Sequence, residues 1–168
     1  MGVDKATLVV GGRPLALRVA GALEAAGAGE VFAVGGDAEI LSDLGLEVVP
    51  DRYPGQGPLG GLITAIASAS NDAVVVTACD LPSVNAETIV EVLEALGSFD
   101  AAVPVLSSAR QFLCGAYHKR CLGPLLAAFE AGERSIHRSL GHLEVVEVSG
   151  LDPASLRDAD TPGDLERG

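Results

Sequence analysis

Positive charge is scarce in this 168-residue sequence: 11 Lys and Arg stand against 23 Asp and Glu, for a formal net charge of −12. Such a balance repels phosphate backbones and anionic lipid, so neither nucleic acid nor membrane is an expected partner. A single nucleotide, held with a metal ion between phosphate and carboxylate, remains compatible with it. No apolar run approaches the roughly 18 residues of a membrane span, and no basic region followed by an apolar core marks the N-terminus for export. Cys79, Cys114 and Cys121 are odd in number, form no C-x-x-C pair and lie beside apolar residues. They are expected to be buried, reduced thiols of a cytoplasmic protein. His118, His137 and His142 lack metal-ligand spacing, and no nucleophile elbow supports a hydrolase triad. Internal repeats and low-complexity linkers are absent too.

What is present suits a single compact domain over residues 1–168, since 48% of the residues are hydrophobic and can bury one sizeable core. Short apolar runs predict strands over 7–10, 30–34, 46–49, 73–79, 101–106, 112–117 and 145–148. Helical spacing predicts helices from Pro14 onward, after Asp37 as N-cap, from Leu62, over 86–96, 123–131 and 135–140, and after Thr161-Pro162. The run over 73–79 is continuous rather than alternating, as expected of a strand covered by helices on both faces. Strands alternating with helices predict an α/β fold with a doubly wound, mostly parallel sheet, to which an antiparallel strand can be added.

Four constellations could carry chemistry. Asp80 follows the most apolar strand, at the edge where open α/β sheets bind ligands; it either caps the next turn or holds Mg²⁺. Residues 51–61 hold two prolines and four glycines ahead of a helix. They form either a plain turn or a loop whose backbone N–H groups approach an anion. Lys5, beside Asp4, is either a solvated terminal charge or a group that neutralises phosphate charge. The acidic stretch over 157–165 is either a capped helix start or a part of the metal region.

Taken in order, these segments resemble the molybdenum cofactor guanylyltransferases of the nucleotidyltransferase superfamily. MGVDKATL and GGRPL resemble that family's M-G-x-D-K-A-L-L and G-x-P-L. PDRYPGQGPLGGL resembles its aspartate loop with G-P-L-x-G, and VVVTACDLP its strand ending in C-D-x-P. QFLCGAY, AGERS and DADTPGDL follow in register. The resemblance implies a Rossmann-like fold and Mg²⁺-dependent transfer of GMP from GTP to the molybdopterin cofactor, with release of pyrophosphate. Lys5, Asp51, Gly57, Pro58, Leu59 and Asp80 would meet the nucleotide, Lys5 and Asp80 being catalytic and Asp80 binding the metal. Arg134 is a candidate for the anionic pterin, and molybdoenzymes or other cofactor-biosynthesis proteins are candidate partners. A cytidylyltransferase on the same cofactor and a non-catalytic cofactor-binding relative are the alternative readings. The family's L-A-G-G-x-S-x-R, which precedes its M-G, is not in this sequence. The expectation is an N-terminally truncated domain that lacks its first strand, with two unpaired strand edges and with Met1 an internal methionine of the signature. Gly36 stands where many relatives have asparagine near the guanine.

Overall fold

The computed structural model describes residues 5–158. Expectations that concern Asp4, the acidic residues beyond 158 and the helix after Thr161-Pro162 lie outside the described residues.

Lys5–Thr7 form a 3-10 turn, followed by a hairpin of β1 (Val9–Val10) and β2 (Arg13–Pro14). Gly11 and Gly12 make the reversal at φ 56° and 80°, values open to glycine and strained for other residues. The strand expected over 7–10 is therefore only two residues long and stands outside the main sheets. With so little length before the Gly-Gly turn, it buries Val10 alone and joins no larger sheet among the described residues. α1 (Leu15–Ala25) then starts on Pro14, whose φ of −54° already suits a helix, and buries Leu15, Ala16, Val19 and Ala20 along one side.

β3 (Phe32–Val34) and β4 (Glu47–Val49) pair in parallel around α2 (Ala38–Asp43). Asp37 caps α2 as expected, its carboxylate accepting from the N–H groups of Glu39 and Ile40 at 3.1 Å each. α3 (Pro58–Ser68) leads to β5 (Ala73–Thr77), and α4 (Ala86–Leu96) leads to β6 (Ala101–Leu106). β7 (Ala109–Arg110) folds back on β6, and β8 (Cys114–His118) runs antiparallel between β5 and β6. α5 (Leu122–Glu130) and α6 (Ile136–Ser139) precede β9 (Val145–Val148), which pairs in parallel with β6. Hence β5, β6 and β9 share one direction and β8 opposes them, giving the expected doubly wound, mostly parallel α/β architecture.

Alternation along the strands divides the core into two layers. Ala102, Ala116 and Cys114 face Val19 of α1 and Ile89, Val92 and Leu96 of α4. Ala101, Val103 and Tyr117 face Leu62 and Ile66 of α3 and Leu125 and Phe129 of α5. A pair of buried hydroxyls fastens the C-terminal segment, Thr88 Oγ1 donating to Ser155 Oγ at 2.8 Å.

β5 departs from its expected complete burial: Val74 is buried, whereas Val75, Val76 and Thr77 are only half-buried. The reason is an open edge. Among the described residues β3 pairs with β4 alone and β5 with β8 alone. Their other edges border one cavity of about 690 Å³, walled by Val19 and Leu23 of α1 and Leu62 of α3.

Candidate functional site

Asp80 lies in the turn just past β5, and the 3-10 turn brings Lys5 to it: Lys5 Nζ is 3.9 Å from Asp80 Oδ2. Their side chains are 45% and 30% exposed, so the pair is open to a ligand rather than sealed in the core. As a surface pair it contributes at most about 1 kcal/mol to stability. Arg18 of α1 braces this corner from behind, Nε donating to Pro82 O at 2.8 Å and Nη1 to Val10 O at 3.3 Å. Nothing in the sequence singled out Arg18, because its two acceptors are backbone carbonyls of remote turns.

The loop between β4 and α3 is held from within. Asp51 Oδ1 accepts from Tyr53 N–H at 2.9 Å and lies 3.1 Å from the buried Thr64 hydroxyl. That hydroxyl oxygen accepts from Arg52 N–H at 3.2 Å and lies 2.9 Å from Gly60 O. One carboxylate oxygen of Asp51 thus organises the loop. Gly57, at φ 87°, precedes Pro58 at the first position of α3. Leu59 is fully buried, so its side chain serves the core and only its backbone amide is placed for an anion. A Cβ on Gly60 would approach Tyr53 Cβ to 2.8 Å, so loop-to-helix packing requires this glycine.

Arg134 is already engaged. It donates through Nη1 to Phe129 O at 2.8 Å and through Nη2 to Gln56 Oε1 at 2.9 Å, and its guanidinium lies 3.9 Å from the centre of the Phe129 ring. Tyr53 meets the other side of this cluster, its ring centroid 4.5 Å from that of Phe129. Glu133 shapes the same bend: Arg138 and the N–H groups of Ser135 and Arg134 bring its pKa down to about 2. The structure therefore gives Arg134 a role in holding the glycine-rich loop, which its position in AGERS did not reveal.

The Lys5–Asp80 corner and the aspartate loop border the same cavity. Gly35, Pro58 and Cys79 all line it, Asp51 lies against Gly35, and Asp80 follows Cys79. Lys5, Asp80, the aspartate loop and the N-terminus of α3 thus border one open space, in which a cation and a helix N-terminus favour an anion. Among the described residues no three His, Cys, Asp or Glu side chains cluster as metal ligands. A hard cation that takes one or two carboxylates and fills its other positions with phosphate and water fits Asp80 nonetheless. His118 lies 3.1 Å from Gly97 O, and His137 beside the Phe112 ring, in structural surroundings. Burial raises the Cys114 and Cys121 thiols to about 11 each. Cys79 departs from the expected burial and is half-exposed, because it borders the open cavity. Among the described residues, no helix is long and apolar enough to cross a membrane.

Known proteins resemble this chain over nearly its whole length. The chain is 33% identical over 175 residues to a probable molybdenum cofactor guanylyltransferase of Pelotomaculum thermopropionicum, covering 98% of this chain and 83% of that protein. It is 34% identical to a protein of the same description from Nostoc sp., covering 98% and 82%. Among solved structures, molybdopterin-guanine dinucleotide biosynthesis protein A from Archaeoglobus fulgidus superposes with a TM-score of 0.75 at 26% identity, over 99% of this chain and 89% of that one. A 2-C-methyl-D-erythritol 4-phosphate cytidylyltransferase from Thermus thermophilus shares the fold, with a TM-score of 0.78 at 24% identity over 97% and 91% of the two chains. Residues 1–146 match the family model described as MobA-like NTP transferase domain, and the chain belongs to that family.

Proposed function

We propose that this chain transfers GMP from GTP to the molybdenum-molybdopterin cofactor and releases pyrophosphate. The observation that carries this reading is the Lys5–Asp80 pair, 3.9 Å apart just past the carboxyl end of β5, beside a cavity that Pro58 at the start of α3 also lines. A cation, a carboxylate and a helix N-terminus bordering one open cavity suit a triphosphate better than a neutral ligand. The molybdenum cofactor and guanine enter through the names of the relatives.

The reaction needs no protein nucleophile. An oxygen of the cofactor's terminal phosphate bonds to the α-phosphorus of GTP, the bond from that phosphorus to the β-phosphate oxygen breaks, and pyrophosphate leaves with the electron pair. Lys5 neutralises charge on the departing phosphates, and the amides at the start of α3 orient the anion. Asp80 is the residue that would hold Mg²⁺, which supplies charge neutralisation at the phosphates when bound. Asp51 keeps the loop in the conformation that presents those amides.

The test is pyrophosphate release by the full chain with molybdopterin cofactor, Mg²⁺ and either GTP or CTP. Release with GTP, lost in Asp80→Asn, is expected. A preference for CTP would replace guanylyl with cytidylyl transfer. Cofactor binding without release from either nucleotide would remove the catalytic reading.

A further inference from the structure

We propose that Thr64, buried inside α3, is a positioning residue for the nucleotide: its hydroxyl makes the two oxygens of Asp51 unlike, tying Oδ1 into the loop and leaving Oδ2 for the ligand. This inference rests on the proposed function in taking that ligand to be a nucleoside triphosphate. It adds a residue that touches neither substrate nor metal.

A threonine in the middle of an apolar helix ordinarily returns its hydroxyl to the carbonyl one turn back. Thr64 does so, Oγ1 lying 2.9 Å from Gly60 O. That contact alone would make it a satisfied core residue. Two more contacts reach out of the helix: Arg52 N–H donates to Oγ1 at 3.2 Å, and Asp51 Oδ1 lies 3.1 Å from it. Thr64 is 0% exposed, with Ile63 and Ala65 buried on either side of it in sequence, so water does not compete for that hydroxyl. A polar group placed at such a position is costly unless its partners are met, and here they belong to the aspartate loop.

The consequence for Asp51 follows from its lone pairs. Oδ1 faces Tyr53 N–H at 2.9 Å and the Thr64 hydroxyl at 3.1 Å, which fills its two acceptor positions. Oδ2 accepts no hydrogen bond among the described residues. Nor is it sealed from solvent, since Thr77 Oγ1 is the one side-chain polar atom buried without a partner among those residues. A Cβ on Gly35 would lie 3.4 Å from Asp51 Cβ, so the turn after β3, which lines the cavity, packs against the Asp51 stem. With its stem backed by Gly35 and Oδ1 held by Thr64 and Tyr53, the carboxylate cannot rotate without breaking these ties. An acceptor-only oxygen repels phosphate, so the open Oδ2 suits an N–H or O–H donor on the nucleoside part of the ligand.

The test compares, in the full chain, Thr64→Val, which keeps the shape and loses the hydroxyl, with Thr64→Ser, which keeps the hydroxyl and loses the methyl. Affinity for GTP and for CTP with Mg²⁺ is measured by titration calorimetry, KM and kcat by pyrophosphate release, and Tm by thermal unfolding. Thr64→Val is expected to weaken binding of the preferred nucleotide and raise its KM by about tenfold or more, with a much smaller change in kcat, and Thr64→Ser to recover most of the loss. Thr64→Ala carries the expectation of Thr64→Val should the latter fail to fold. In an Asp51→Ala background, Thr64→Val is expected to add little, because the carboxylate it positions is gone. A role in packing alone gives the reverse order, with Thr64→Ser the more damaging, and overturns the proposal. A lowered Tm in Thr64→Val without loss of affinity overturns it too, as do fully additive losses with Asp51→Ala. If the unaltered chain binds nucleotide without releasing pyrophosphate, the proposed reaction fails and the affinities still decide the role of Thr64. If it binds neither nucleotide, both fall.

Discussion

Arg134 Nη2 donates to Gln56 Oε1 at 2.9 Å, tying the bend after α5 to the glycine-rich loop ahead of α3 across 78 positions of sequence. The same guanidinium holds Phe129 O and stacks on the Phe129 ring. Arg134→Ala should lower stability by about 1–2 kcal/mol, the sum of one or two net hydrogen bonds and a cation–π contact. Because it acts through the loop, it should raise the KM for the nucleotide more than it lowers kcat, and Arg134→Lys should recover only part of the loss. Steady-state kinetics with urea unfolding checks both. An equal fall in kcat with KM unchanged would place Arg134 on the reacting groups instead.

Asp80→Asn should remove most turnover, by a factor on the order of 10²–10³, since it deletes the carboxylate assigned to the metal. Stability should change by less than about 1 kcal/mol, because the Lys5–Asp80 pair is half-exposed. Thermal unfolding beside the pyrophosphate assay separates the two effects.

Adjacent glycines at the start of α3 should respond in opposite ways. Gly60→Ala drives a methyl to 2.8 Å from Tyr53 Cβ and should cost about 1–3 kcal/mol. Gly61→Ala meets nothing within 4 Å and should gain roughly 0.5–1 kcal/mol from helix propensity. Chemical denaturation of both variants tests this, and a destabilised Gly61→Ala would contradict the open surroundings of that residue.

Alkali should weaken the fold through its buried thiols. Cys114 and Cys121 are raised by burial from 9.0 to about 11, so between those values the unfolded chain has lost protons that the folded chain retains. Their stabilising contribution is complete below pH 9 and is lost as pH climbs through 11, on the order of 2–3 kcal/mol per thiol. Urea midpoints at pH 8 and pH 10.5 measure the loss, and Cys114→Ala should shrink it.

Elements defined by local pattern were legible in the sequence. α4, β6 and β9 occupy the positions that apolar spacing predicts, and Asp37 caps α2 as its place before a helical repeat suggests. β7 was not legible. Its turn uses Ser107 and Ser108 at φ 49° and 69°, where glycine or asparagine is the usual signal. In the candidate site, Asp80 and the glycine-rich loop were legible as residue types at strand and helix ends, but Arg18 was not, and neither was the packing of Gly60 against Tyr53.

By itself, then, the sequence determined the order of strands and helices, the α/β class and the family, because periodicity, turn residues and collinear motifs are local properties of the chain. Only the tertiary structure decided that Lys5 reaches Asp80, that Arg134 is occupied by Gln56 and Phe129, and that β3 and β5 border one open cavity. Those relationships join residues dozens of positions apart. They are set by which strand edges pair and which helices cover them, and apolar periodicity carries no record of either.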